Sequence, residues 1–203
     1  MDSPTVFLVD DEEDVRSTLS RALKKRGFQV QSFESARAFL DQYQDDHGCL
    51  VLDYGMPDIN GLELQSLMNE TKLTLPIIFI SGHGGIPESV QAMKAGAVDF
   101  LEKPFRQGDL VACIQTAFDR DLETREAALA QNAAKARFDR LTSREREIAV
   151  FMMENPSNTA SKEIGRALDI SPRTVDHHRA RILEKLEIGS VIELVELSQI
   201  VRP

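Results

Sequence analysis

Cys49-Leu50-Val51-Leu52-Asp53, the turn Gly55-Met56-Pro57-Asp58-Ile59-Asn60-Gly61, then apolar residues at Leu62, Leu64, Leu67 and Met68 read as strand, tight turn and helix. The same ending recurs along the first half of the chain. Val6-Phe7-Leu8-Val9 runs into Asp10-Asp11, Ile77-Ile78-Phe79-Ile80 into Ser81, and Phe100-Leu101, one residue later, into Lys103-Pro104. As parallel strands of one sheet, all four runs end on one edge, and in open α/β sheets that carboxyl edge is where ligands bind. The edge then gathers three carboxylates, one hydroxyl and one ammonium, a set suited to magnesium and a phosphoryl group.

Outward from this centre, strand-like and helix-like segments alternate up to about residue 120. Val15, Leu19, Ala22 and Leu23 have helical spacing and stop at Gly27. Gln29–Phe33 reads as a strand, Ser35 as the cap of a helix through Phe39 and Leu40, and Val98–Leu101 as the fifth strand. After Ser81 a glycine-rich turn leads to a helix near Pro87–Ala95, and another helix begins at about Arg106. Five β/α repeats imply a doubly wound parallel sheet with right-handed crossovers.

From Asp109 to Asn155 there is neither glycine nor proline, and residues 119–138 are rich in Ala, Glu, Arg and Gln. The last helix of the sheet unit is therefore expected to run on into a helical linker, for roughly 30 residues or about 45 Å at ~1.5 Å per residue. The organisation is 1–120 for the α/β unit, 121–138 for the linker and 139–203 for an all-helical unit. In the last, Thr142-x-x-Glu145 and Ser190-x-x-Glu193 read as capping boxes, Ser161 as a cap, and Ser171-Pro172 as a cap with a first-turn proline.

The formal net charge of −9 argues at first against nucleic acid. The charge is unevenly placed: residues 1–122 carry 11 Lys+Arg against 20 Asp+Glu, and residues 123–203 carry 13 of each. A whole-chain balance can hide a DNA-binding half. No apolar run approaches the roughly 18 residues of a membrane span, and Met1-Asp2-Ser3-Pro4 lacks a secretory signal's basic and apolar regions. Cys49 and Cys113 form no Cys-x-x-Cys pair and read as buried free thiols of a cytoplasmic protein.

Three carboxylates at Asp10, Asp11 and Asp53 within ~4 Å would repel by roughly 4 kcal/mol per pair at an effective dielectric of about 20. Such a cluster takes up protons or holds a cation. Hard oxygen ligands suit magnesium, and Lys103 adds a charge that a metal site alone does not need. Metal and lysine around one carboxylate is what phosphoryl transfer to that carboxylate requires. In the helical half, Ile164–Leu168, Ile170-Ser171 and Thr174-Val175 form helix, turn and second helix. The second carries Arg173, Thr174, Asp176, His177, His178, Arg179, Arg181 and Lys185, four cationic side chains against the two acids Asp176 and Glu184. Its start, with Ser171, Arg173 and Thr174, suits phosphate contact. Asp176, His177 and Ala180 share a face that could meet base edges.

These motifs carry a resemblance. Val9-Asp10-Asp11, Val51-Leu52-Asp53 with Met56-Pro57 and Gly61-Leu62-Glu63-Leu64, Ser81-Gly82-His83, and Ala92–Ala97 leading into Glu102-Lys103-Pro104-Phe105 resemble the flavodoxin-like receiver domain of response regulators. The resemblance implies that Asp53 accepts phosphoryl from a sensor histidine kinase. Asp10, Asp11, Asp53 and the Gly55 carbonyl would hold Mg2+, Lys103 and Ser81 would contact the phosphoryl group, and Phe100 would turn inward as a switch. Lys103-Pro104 would be cis. Leu141-Thr142-x-Arg144-Glu145, Lys162-Glu163-Ile164-Gly165, Ile170–Val175, His178-Arg179 and Lys185-Leu186 resemble the NarL/FixJ (LuxR-type) four-helix DNA-binding domain, and most closely its FixJ-like branch.

Together they imply a transcriptional regulator rather than an enzyme, dimerising when phosphorylated and binding two-fold related promoter sites, with RNA polymerase as a further partner and no membrane. The chain departs from the family pattern at Gly85, where an aspartate is common, in a longer loop Asn155–Ala160, at His177 and at Val191. Two other readings stand beside this one. A magnesium-dependent phosphatase or phosphotransferase would use the same acidic cluster, although Gly55 occupies the place of its acid/base aspartate. Alternatively, the helical half docks a protein instead of DNA.

Overall fold

The computed structural model describes residues 3–82 and 85–201. Contacts divide the chain into two compact units, residues 1–125 and 126–203. In the first, β1 (Thr5–Val9), α1 (Glu13–Lys25), β2 (Gln29–Phe33), α2 (Ala36–Gln42), β3 (Gly48–Asp53), α3 (Gly61–Glu70), β4 (Ile77–Ser81), α4 (Ile86–Lys94) and β5 (Asp99–Glu102) alternate before α5 (Gln107–Asp139), whose residues from 126 onward belong to the second unit. The second holds α6 (Ser143–Glu154), α7 (Ser161–Leu168), α8 (Pro172–Leu186) and α9 (Val191–Val201). This is the expected architecture of a five-stranded parallel sheet flanked by helices plus an all-helical unit.

The strand order is β2-β1-β3-β4-β5, all parallel. Every residue of β1, β3 and β4 is buried, because helices cover both faces of these strands; in edge strand β2 only Phe33 is fully buried. Alternate residues feed two cores. Phe7, Leu50, Leu52 and Phe79 pack with Phe39, Leu64 and Met68 of α2 and α3. Val6, Leu8, Val51, Ile78 and Ile80 pack with Leu23 of α1 and with Leu110, Ile114 and Phe118 of α5. The order reverses between β1 and β3, so the tips of those strands, Asp10 and Asp53, flank the crevice where such sheets bind ligands.

Local signals explain most boundaries. Helix α1 has Glu13 and Asp14 in its first turn and Lys24 and Lys25 in its last, matching the helix dipole, and Gly27 follows at φ 90°. Ser35 accepts the Ala38 N–H and starts α2. β5 begins one residue later than expected, although the Val98 N–H already donates to the Ile77 carbonyl. Helix α5 runs unbroken for 33 residues, as the absence of glycine and proline after Asp109 implies. Among the described residues no helix is long and apolar enough to cross a membrane.

In the helical unit Ile148, Met152, Ile164, Val175, Ile182, Leu186 and Leu194 form the core. Thr142 and Glu145 form the expected capping box on α6. Ser171 accepts the Thr174 N–H, and Pro172 opens α8. Two expected caps differ. Ser161 is the first residue of α7, and Ala160, which has no side-chain acceptor, stands at the cap; the helix forgoes a stabilisation of about 1 kcal/mol there. At α9 the Ser190 hydroxyl accepts the Glu193 N–H as expected, but the Glu193 carboxylate takes the Gly189 N–H.

Candidate functional site

The ends of β1, β3 and β5 bring Asp10, Asp53 and Lys103 together. Lys103 Nζ lies 2.7 Å from Asp53 Oδ1 and 3.0 Å from Asp10 Oδ2. Asp10 is fully buried and Asp53 nearly so. Each carboxylate has a backbone donor on its other oxygen: Glu12 N–H to Asp10 Oδ1 at 2.9 Å, and Gly55 N–H to Asp53 Oδ2 at 2.7 Å. Burial pushes the Asp10 carboxyl above its ordinary pKa, against the opposing pull of Lys103. Burial works to lower the Lys103 ammonium, but hydrogen bonds to Asp53 and Asp10 outweigh it and hold the pKa above its ordinary value.

Gly61 makes this packing possible. A Cβ there would come within 2.7 Å of the Phe79 ring and 2.9 Å of the Asp53 carbonyl. Asn60 and Glu63 form a reciprocal capping box that starts α3 beside β3. Sequence reading missed this box because Asn60 sits inside a run of turn-forming residues. It also missed Arg16, whose Nη1 donates to the carbonyls of Asp10 at 2.7 Å and Asp11 at 3.3 Å and so braces the acidic tip. The available signal was a cation in α1 soon after two aspartates.

Other predicted members stand apart. Asp11 is exposed, and among the described residues no three acidic, His or Cys side chains gather into a cluster able to hold a metal. Asp10 and Asp53 are bridged by the Lys103 ammonium, whose charge lets the two carboxylates approach, and Asp11 follows Asp10 at the same tip. This set still fits magnesium, which keeps several waters and needs only one or two carboxylates; the donors are all hard oxygens. Ser81 is buried at the tip of β4, and its carbonyl accepts the Lys103 N–H at 2.7 Å. Phe100 is half-buried, stacked on Phe79 at 5.9 Å and tilted against Tyr54 at 6.2 Å. Lys103-Pro104 is cis. His83 lies outside the described residues.

The second candidate surface is the outer face of α8. Ser171, Arg173, Thr174, Asp176, His177 and Arg181 are exposed. Among the described residues neither Arg173 nor Arg181 enters an ion pair. Three residues expected on this face turn elsewhere. Lys185 Nζ donates to Glu145, a carboxylate 1% exposed, at 2.6 Å. Arg179 Nη1 donates to the Thr159 carbonyl at 2.7 Å. His178 is half-buried, with its Nδ1 sealed from solvent. Lys185 is drawn to a buried carboxylate and Arg179 to a loop carbonyl.

Comparison with known proteins bears on both surfaces. Residues 6–115 match the response regulator receiver domain, and residues 139–198 match the bacterial regulatory proteins of the luxR family. The chain is 40% identical over 195 residues to the response regulator protein TmoT of Ectopseudomonas mendocina, covering 96% of this chain and 87% of that protein. It is 40% identical over 195 residues to the transcriptional regulatory protein FixJ of Rhizobium meliloti, covering 96% and 94%. A solved structure of the response regulator StyR is similar with a TM-score of 0.85 at 39% identity, covering 98% of this chain and 99% of that one.

Proposed function

The chain belongs to the NarL/FixJ family of response regulators, phosphorylation-dependent transcriptional regulators, and we propose that Asp53 is its phosphoacceptor. The observation that carries this is the single ammonium of Lys103, 2.7 Å from Asp53 and 3.0 Å from buried Asp10 on one sheet edge. A receiver and a LuxR-type domain together imply a sensor kinase and DNA as partners. The Asp53 carboxylate attacks phosphorus in line; the new P–O bond forms as the P–N bond to the kinase histidine breaks. Lys103 follows the negative charge from the carboxylate to the phosphoryl oxygens. The Ser81 hydroxyl donates to one of those oxygens, and Phe100 repacks against Phe79 in response.

Receiver domains generally use Mg2+ for phosphorylation. Here Asp10, Asp11, Asp53 and the Gly55 carbonyl would hold it, and the bound ion supplies positive charge to the phosphoryl oxygens. The chemistry is confined to the chain's own phosphorylation and dephosphorylation. We assign residues 1–120 to the receiver, 121–138 to a helical linker and 139–203 to the DNA-binding domain. Phosphorylation favours a dimer on two-fold related promoter sites, where Ser171, Arg173, Thr174, His177 and Arg181 meet the duplex and RNA polymerase is recruited in the cytoplasm. Replacing Asp53 by Asn abolishes labelling by acetyl phosphate, read by phosphate-affinity electrophoresis; labelling that persists at the wild-type level rejects the assignment. Footprinting of the chain's own upstream DNA, with and without phosphorylation, tests the second half.

A further inference from the structure

Asp176 and Arg179 stand three residues apart on α8, on the helix assigned to DNA, yet both are tied to the segment that begins α7. Arg179 Nη1 donates to the Thr159 carbonyl at 2.7 Å and to Ser161 Oγ at 3.4 Å. The Ser161 hydroxyl in turn donates to Asp176 Oδ1. One hydroxyl thus accepts from the arginine and donates to the aspartate, using both of its capacities.

The surroundings give this chain of bonds little to compete with. None of the residues 155–160 is fully buried, so the loop has no apolar anchor of its own. Helix α7 has Ala160 at its cap position and so no side-chain cap, because the serine that could have supplied one sits a residue further on and faces α8 instead. The orientation of the α7 start against α8 is therefore set by the Arg179–Ser161–Asp176 bonds together with the apolar contacts of Ile164 and Val175.

We infer that Arg179, Ser161 and Asp176 form a positioning bracket: they hold α8 in register against α7, so that Arg173, His177 and Arg181 meet the duplex correctly, and do not themselves read it. The inference rests on the DNA-binding reading and assigns to Ser161 and the Thr159 carbonyl a part in sequence discrimination. A group that binds phosphate and a group that only orients the helix differ in their salt dependence. Removing one phosphate-binding cation lowers the slope of log affinity against log salt by about 0.9.

The test uses the full chain phosphorylated with acetyl phosphate. The probes are a duplex that the wild-type chain selects from a random-sequence pool and a scrambled duplex of the same composition. Arg179→Ala and Ser161→Ala each lower the selected-over-scrambled affinity ratio about tenfold. Both leave the scrambled-duplex affinity and the salt slope unchanged. Arg179→Lys, which retains a donor for the Thr159 carbonyl, recovers part of the ratio. Arg181→Ala serves as the contrast and flattens the slope by about 0.9.

A slope lowered equally by Arg179→Ala makes Arg179 a phosphate ligand and overturns the bracket. So does an unchanged ratio with weaker binding to both duplexes, which reports only reduced stability. Ser161→Ala removes a single oxygen, and its thermal unfolding distinguishes a failed fold from a displaced helix. A wild-type chain that selects no sequence rejects the DNA reading itself.

Discussion

Glu145 shows how one side chain serves two structural ends. Its carboxylate accepts the Thr142 N–H at 2.8 Å to start α6 and the Lys185 ammonium at 2.6 Å to hold α8. The Lys185 hydrogen bond, working against burial, lowers its pKa to about 2 from 4.5. A depressed folded-state pKa means that the stabilisation is complete above the unfolded value and is lost as pH falls through the folded one. The helical unit accordingly loses on the order of 2 kcal/mol between about pH 4.5 and pH 2, discounted for the part-exposed lysine. Circular dichroism melts across that range show this loss, and Glu145→Gln makes the same segment of the profile shallower. Lys185→Met at neutral pH strands a buried carboxylate and costs on the order of 3 kcal/mol.

Asp10, Asp53 and Lys103 were legible in the sequence because each follows directly, or by one residue, on a buried strand of a parallel sheet. The inward turns of Lys185 and Arg179 were not. Their partners, Glu145 and Thr159, lie 40 and 20 residues away, and composition alone gives a cation on a helix no direction.

At the scale of elements, caps written within four residues were read directly, as at Ser35, Thr142 and Ser171. Close approaches between elements were not, since nothing local marks them. Gly165 in α7 is such a case: a Cβ there would lie 2.6 Å from the Ile170 carbonyl, in the turn before α8. The Gly165 carbonyl also accepts the Ile170 N–H at 2.9 Å, so the turn cannot move away without breaking its own closure. Gly165→Ala therefore costs about 1–3 kcal/mol by overpacking, despite the better helix propensity of alanine, as urea denaturation of the helical unit measures. Ser171→Ala removes the α8 cap and costs about 1 kcal/mol in the same measurement. The two losses concern adjacent groups and will not add.

For the whole molecule, charge assigns the work. The −9 of the chain is already present in the first 122 residues, and the remainder is neutral. On the proposed DNA-binding assignment, affinity therefore rests on a few outward arginines rather than on a general positive field. On α8 those are Arg173 and Arg181, since Arg179 and Lys185 are bonded inward. Neutralising both flattens the salt slope by roughly 1.8 per chain, at about 0.9 for each phosphate bound. Fluorescence anisotropy over a salt series checks this figure.

The pairing of Lys103 with two carboxylates bears on how an always-active form could be made. Counted as two carboxylates and one ammonium, the trio carries one surplus negative charge, and phosphorylation would trade the carboxylate charge of Asp53 for an acyl phosphate, a gain of about one further negative charge. Asp53→Glu brings no added charge at all; it lengthens by one methylene a side chain already bonded on both oxygens. On the assignment of Asp53 as the phosphoacceptor, a glutamate at this position is therefore expected not to mimic the modified state. Locked-on variants of this regulator have to be sought elsewhere in the molecule.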